Sequence, residues 1–210
     1  MTDWVMISAL TTGGGTLVLA SATFASVRSA NRAARVAEQA LLAQIRPLLM
    51  PSRLEDPAIK VSFMDQHYVS VPGSGATAEA TDGSIYLTMS VRNVGTGLAV
   101  LHGWRIEFGR DLGAMGRPDL EQFRRLTRDL YVAAGDVSFF QGAYRDPGEA
   151  EFAQVRELIE GRERLVLDVL YGDQHGGQRV ISRFSLLARP DGGWFATVAR
   201  HWNVDRPDPR

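Results

Sequence analysis

The sequence predicts a mainly β protein: an antiparallel β-sandwich with two helical inserts, preceded by a long N-terminal transmembrane and juxtamembrane helix. Three observations carry this. No charged residue occurs from Trp4 to Val27. The next stretch, to Arg46, is rich in alanine, arginine, leucine and glutamine, with no internal glycine or proline. From residue 47 onward apolar residues recur with a period of two, the mark of strands with one buried face. The expected division is residues 1–27, 28–46 and 47–210.

A helix of about 20 apolar residues suffices to cross a bilayer core. Trp4–Val27 has that length, although Thr11, Thr12, Gly13, Gly14, Gly15 and Thr16 temper its hydropathy. Ala20 and Ala22 resemble a signal-peptide cleavage pattern, but Met1–Asp3 lacks the positive start such a peptide needs, so the anchor is the expectation. Arg28, Arg32, Arg35 and Arg46 follow the span and nothing comparable precedes it, which places the β domain on the cytoplasmic side of the cell membrane. Small residues Ser8, Thr12, Thr16 and Ala20 recur at a spacing of four, a pattern open to a homodimer through this helix and equally to composition alone.

The juxtamembrane segment is built of good helix formers, so the helix continues past the span. Pro47 removes a backbone donor and pushes Arg46 out of the helical region, which ends it. Val36, Ala40 and Ala43 make an apolar seam too short to define a coiled coil.

In the domain, Ile85, Leu87, Met89 and Val91 alternate with Tyr86, Thr88, Ser90 and Arg92. Val100, Trp104, Ile106 and Phe108 share a face of the next strand, and Leu165, Leu167, Val169 and Tyr171 a face of a later one. Further strands fall at Ile59–Phe63, His67–Val71, Val137–Gln141, Arg179–Leu187 and Trp194–His201, about eight in all, the number of a sandwich. Asp82-Gly83, Gly172–Gly177 and Asp191-Gly192-Gly193 supply turns. One helical insert is expected from Pro118, with Leu120, Phe123, Leu126 and Leu130 on one face. The other opens on Asp146 as N-cap, with Pro147 and Glu149 behind it, and runs through Phe152, Val155, Leu158 and Ile159 to a left-handed cap at Gly161.

Asn93, Gly95, Gly97 and Ala99, between two of these strands, form an N-x-G-x-G-x-A turn, and Tyr171, Gly172, Asp173 and Gly176 form a glycine-rich hairpin. The first resembles a turn of bacterial immunoglobulin-like domains, including cell-adhesion-related ones, and is similar to the soluble part of many uncharacterised membrane-anchored bacterial proteins. The resemblance covers about a fifth of the domain, through residues whose mechanical task is to turn the chain. It implies an immunoglobulin-like sandwich and a non-catalytic role.

Chemistry is sparse. The chain has no cysteine, which excludes thiolate catalysis, disulfides and thiolate metal sites. A net charge of -1 gives no field that would gather nucleic acid. Gly95-Thr96-Gly97 lacks the third glycine of a dinucleotide loop, and Gly73-Ser74-Gly75 lacks the lysine of a nucleotide loop. His67, His102, His175 and His201 show no i, i+4 pairing, and His102 shares a strand face with Val100 and Trp104, the setting of a core histidine. Asp173 and His175 could together bind a cation or move a proton, against the plainer reading that the aspartate serves its turn. No G-x-S-x-G elbow occurs, and Glu149 with Glu151 and Glu160 with Glu163 read as solvated helix charges. Arg124, Arg125 and Arg128, with Glu121 and Asp129, read as a mixed-charge surface, and Trp194, Trp202, Phe139 and Phe140 mostly as core. No catalytic, cofactor-binding or metal-ligating residue is therefore assigned, and no cofactor is expected.

The expected function is a single-pass membrane-anchored, non-catalytic binding or scaffold protein with a protein partner. The alternative is a membrane-anchored sensor of a small ligand or cation.

Overall fold

The computed structural model describes residues 3–108 and 116–208, and the chain divides into two compact units, Met1–Gln44 and Ile45–Arg210. The first is one unbroken helix, α1 (Asp3–Gln44). It ends three residues before Pro47, where the missing backbone donor was expected to stop it. Among the described residues no helix is long and apolar enough to cross a membrane. The side chains of residues 3–13, which open the expected span and include Ser8 and Thr12 of the small-residue stripe, lie outside the described residues. Beyond them Val18, Leu19 and Phe24 are each 70% exposed, so this stretch of the helix has no core of its own.

The second unit holds eleven strands: β1 (Leu49–Pro51), β2 (Ile59–Ser62), β3 (Tyr68–Val71), β4 (Gly75–Ala80), β5 (Ile85–Asn93), β6 (Ala99–Glu107), β7 (Arg124–Val132), β8 (Val137–Tyr144), β9 (Leu165–Gly172), β10 (Val180–Ala188) and β11 (Trp194–Asn203). One helix, α2 (Phe152–Glu160), lies between β8 and β9. All eight expected strands are present. β1, β4 and β7 are additional.

Nine of the strands are joined by pairing into one sheet rather than two separate ones. A single antiparallel sheet runs β8-β5-β4-β11-β10-β9-β6-β7, with β1 added to β5 beyond the end of β4. Its first and last strands, β7 and β8, are neighbours in the chain, so the sheet curls until its two ends meet at the turn of residues 133–136. The pairing that makes it one sheet is short: Trp194 with Ala76 and Phe195 with Gly75 join β11 to β4. β2 and β3 form a separate hairpin.

The main core fills the inside of the curl. Leu87, Met89, Trp104, Phe140, Leu167 and Phe184 are all within 2% exposure, and α2 adds Phe152, Val155 and Ile159. Two smaller clusters lie elsewhere: Val61, Phe63, Val69 and Val71 of the hairpin pack on Tyr86, and Leu170, Ile181 and Trp202 pack with Leu120 and Phe123. Covering both faces makes β9 an unbroken run of buried residues, which hides the alternation a one-sided strand would show.

Three local expectations are corrected. The stretch from Pro118 is no helix: Leu120–Gln122 is a single 3-10 turn capped by the Asp119 carboxylate, and β7 follows at once. Leu126, Leu130 and Val132 also satisfy a period of two, and Thr127, Tyr131 and Val132 favour a strand. In β6 the extra residue of a bulge is His102, because Leu101 pairs with Tyr171 while Gly103 pairs with Leu170. The bulge reverses the alternation, so Ala99 and Leu101 precede Trp104 and Ile106 in the core, and Val100 and His102 do not.

The third correction concerns α2. Asp146 and Glu149 do bond backbone amides reciprocally, Gly148 N to Asp146 Oδ1 at 2.8 Å and Arg145 N to Glu149 Oε1 at 3.3 Å, but this box shapes a turn and the helix begins later, at Phe152. At its end the left-handed residue is Arg162 (φ 52°), not Gly161. Glu163 N bonds Leu158 O and Arg162 N bonds Ile159 O, the paired bonds of a Schellman cap. Arg162 holds this position because its guanidinium donates to the carbonyls of Arg189, Gly192 and Gly193 and lies over Trp194. Arg162→Gly and Arg162→Ala lose those bonds equally, so the glycine variant is expected to be the more stable by about 1–2 kcal/mol, the left-handed cost of a Cβ. Urea denaturation of the two variants checks the order.

Candidate binding cleft at the open seam of the sheet

The sheet that curls nearly shut is not closed by backbone. Among the described residues β7 pairs only with β6, and β8 only with β5. The two strands are joined by the turn, which is tied to β5 where Asn93 N donates to Asp136 O and Gly135 N to Asn93 O, and among the described residues no ladder joins them beyond it. β7 also leaves β6 in its middle: the register passes from Leu101 with Leu130 to Gly103 with Arg125, which leaves residues 126–129 without a partner strand.

Side chains bridge the seam instead. Arg128 Nη2 donates to Gln141 Oε1 at 2.7 Å and its guanidinium lies over Phe139. Arg124 pairs with Glu149 and sits over the rings of Tyr144 (4.3 Å) and Trp104 (5.4 Å). Trp104 forms the floor, set edge-on to Phe140 and Tyr144. Gly142 makes room for it, because a Cβ there would lie 2.6 Å from the indole. Between the strands remains a cleft of about 210 Å³ lined by Phe63, Trp104, Arg124, Arg125, Gln141 and Arg145 among others.

The cleft is positive. Glu149 offsets Arg124, and Asp65 offsets Arg145 at 3.5 Å. Arg125 and Arg128 have no carboxylate partner among the described residues. Partial burial opposes ionisation of Asp65, but the Tyr86 hydroxyl, at 2.7 Å, backbone N–H groups and Arg145 outweigh it and hold its carboxyl below the usual range. Burial, reinforced by the hydrogen bond to Glu151, pushes the Tyr144 phenol far up, so it stays a neutral donor. Arginines cannot exchange protons near neutral pH, and no histidine, aspartate or glutamate lines the cleft. The chemistry available is attraction for anions, with free strand edges on both sides.

The residues singled out in the sequence do not assemble. Asp173, 2% exposed, accepts from His175 N at 2.7 Å and Gly177 N at 3.3 Å through Oδ1, while the His175 ring bonds the neighbouring Gln174. That is a local turn bond. His67 stacks on Tyr86 and bonds Glu79 at 2.8 Å. Burial, with the positive charge of Arg179, pushes the His102 imidazole down. His201 Nδ1 meets Ser182 Oγ at 2.6 Å, and Ser182 in turn meets the Tyr171 hydroxyl, which accepts from Leu49 N. Among the described residues no three histidine, aspartate or glutamate side chains converge on a metal position.

The cleft itself escaped the sequence because Arg124, Arg125 and Arg128 were assigned to a helix, where they face solvent. A single glycine inside the apolar stretch Phe139–Tyr144 was its one visible signal, since glycine in a strand marks close approach. No protein-family model, curated protein or solved structure matches this chain.

Proposed function

We propose that this chain is a membrane-anchored, non-catalytic binding module that receives a protein partner at the arginine-lined seam between β7 and β8. The observation that carries the reading is the seam itself, an otherwise continuous sheet left open along two strand edges beside a positive cleft. Its size favours a partner's side chains over a small ligand at this site. Pockets for small organic ligands usually enclose about 300–1,000 Å³, and about 210 Å³ holds one or two side chains of a partner rather than a buried molecule. The arrangement favours this over a cation sensor at Asp173 and His175, where the carboxylate serves the turn.

The anchor is part of the proposal. Trp4–Val27 carries no charge, and the apolar side chains described on α1 are exposed, a state that calls for lipid or a partner to cover them. The arginines that follow support a cytoplasmic side for the seam, because basic residues beside a span are retained there.

A photo-crosslinking residue at Thr127, on the seam, is expected to give a discrete adduct when the full chain is irradiated in native membranes. The same residue at Gln154 on α2 is the control. The chain should stay in the pellet after carbonate washing, and a chain lacking residues 1–27 should be released. Equal labelling from both positions overturns the seam, and release of the full chain overturns the anchor.

A further inference from the structure

The geometry points to the kind of partner: an extended acidic segment that lies along the free edge of β8 and sets its carboxylates against Arg125 and Arg128. This rests on the seam reading above and narrows it to one chemistry. An uncovered strand edge presents backbone donors and acceptors to any extended chain, and proteins guard such edges with charge. Here the lining of the cleft has one sign. Arg124, Arg125 and Arg145 line it and Arg128 lies beside it on Gln141, while Glu149 and Asp65 offset only two of these, in a chain whose net charge is -1.

That bias excludes one occupant and selects another. A second copy of this chain pairing edge to edge would bring a cleft of the same sign against this one, and like charges repel. An acidic segment meets two guanidiniums that have no carboxylate among the described residues. The direct bridge across the seam is also the kind a carboxylate can replace. Arg128 bonds the neutral amide of Gln141 at 2.7 Å, and exchange of that acceptor for a carboxylate turns an ordinary hydrogen bond into a charge-assisted one. Gln141 is then free to turn to the incoming backbone.

The length of the edge sets the length of the segment. β8 has eight residues, and at about 3.3 Å per residue its edge spans roughly 26 Å, enough for a segment of about six residues. Side chains two apart on that segment share a face, about 6.6 Å from one another, so acidic residues at alternate positions present a row of carboxylates to the arginine-lined side of the cleft.

The test uses the full chain in lipid nanodiscs with three probes: a hexapeptide alternating glutamate and threonine, its glutamine counterpart, and free glutarate. The acidic hexapeptide is expected to bind at least about tenfold more tightly than the glutamine peptide. It should slow amide hydrogen exchange along Gln141–Tyr144 and lose its advantage in the Arg125→Gln, Arg128→Gln double variant. Arg125 is exposed, and Arg128 gives up one bond to Gln141 and its contact with Phe139, so thermal unfolding of that variant should fall only slightly below the parent. Equal binding of the two peptides overturns the acidic preference. Binding of glutarate as tight as that of the peptide, with no slowed exchange in β8, overturns strand addition and leaves a simple anion site. Should no peptide bind while Thr127 still crosslinks to a partner, the acidic segment is overturned and the seam survives; loss of both removes the seam as well.

Discussion

Replacement of Asp168 by alanine is expected to destabilise the β domain by about 3–5 kcal/mol, the cost of stripping one partner from a buried ion pair. Asp168 is fully buried, on the face of β9 that also carries Leu170. It lies in a row that crosses three strands, with Arg105 of β6 on one side and Arg183 of β10 on the other. Its two oxygens accept from Arg183 Nε and Nη2, each at 2.7 Å, and Arg105 Nε approaches at 3.5 Å. Arg183 is 1% exposed, rests against the Trp202 ring and has Glu107 at 3.3 Å. In the alanine variant the buried Arg183 guanidinium loses its bidentate carboxylate and keeps Glu107, which it shares with Arg105. The cost comes from the charge left behind rather than from the attraction lost, and this can be separated. Combining Asp168→Ala with Arg183→Met should recover much of the stability, because an apolar pair of similar volume is tolerated where a lone buried charge is not. Urea unfolding of the two single variants and the double variant measures the coupling. If the double variant loses the sum of the singles, the row contributes through packing alone.

The parts of this fold that were legible are those whose signal is local. Ile85, Leu87, Met89 and Val91 are all buried, as their alternation required, and Phe152, Val155 and Ile159 form the inward face of α2. The parts that were not legible depend on distant partners or on residues that satisfy two periods. Gly75–Ala80 has only small or polar side chains, and it becomes β4 because β5 and β11 lie on either side of it. Leu120, Phe123, Leu126 and Leu130 fit a helix, but only Leu130 is fully buried, and Val132 joins it on a strand that follows β6. The choice between two stacked sheets and one curled sheet rests on two residue pairs joining β4 to β11, more than a hundred positions apart, and no local pattern encodes such closure. The seam is a product of that closure. Arg128 and Gln141 look unrelated in the sequence until the curl brings the ends of the sheet together.

The turn of Asn93, Gly95 and Gly97 does more than reverse the chain, and it supports the second large expected effect. Asn93 is fully buried and uses its whole side-chain amide: Oδ1 accepts from Leu48 N at 3.1 Å and Gly95 N at 3.0 Å, and Nδ2 donates to Gly97 O at 2.6 Å and Val132 O at 3.0 Å. The segment entering the sheet lies directly on this turn. Val94 N donates to Leu48 O and Thr96 N to Arg46 O, and a Cβ at Gly97 would collide with the Ile45 carbonyl. The turn is a clasp around residues 45–48, and Asn93 is its pin. Asn93→Ala leaves up to four backbone groups without their bond, those of Gly97 and Val132 buried and those of Leu48 and Gly95 partly so, and at about 1 kcal/mol for each the domain should lose roughly 3–4 kcal/mol. Asn93→Asp is no remedy, since a carboxylate keeps both acceptor roles and sets negative charge against the carbonyls of Gly97 and Val132. The loss should also be uneven. In Asn93→Ala, amide exchange at Leu48, Leu49 and Val94 should quicken before that of β9 and β10, because β1 is held to β5 over only three residue pairs and depends on the clasp. Exchange that rises by the same factor throughout would show Asn93 supporting the whole core instead. Local loosening would identify this short segment, which joins α1 to the sheet, as the part of the domain that yields first when the connecting chain is disturbed.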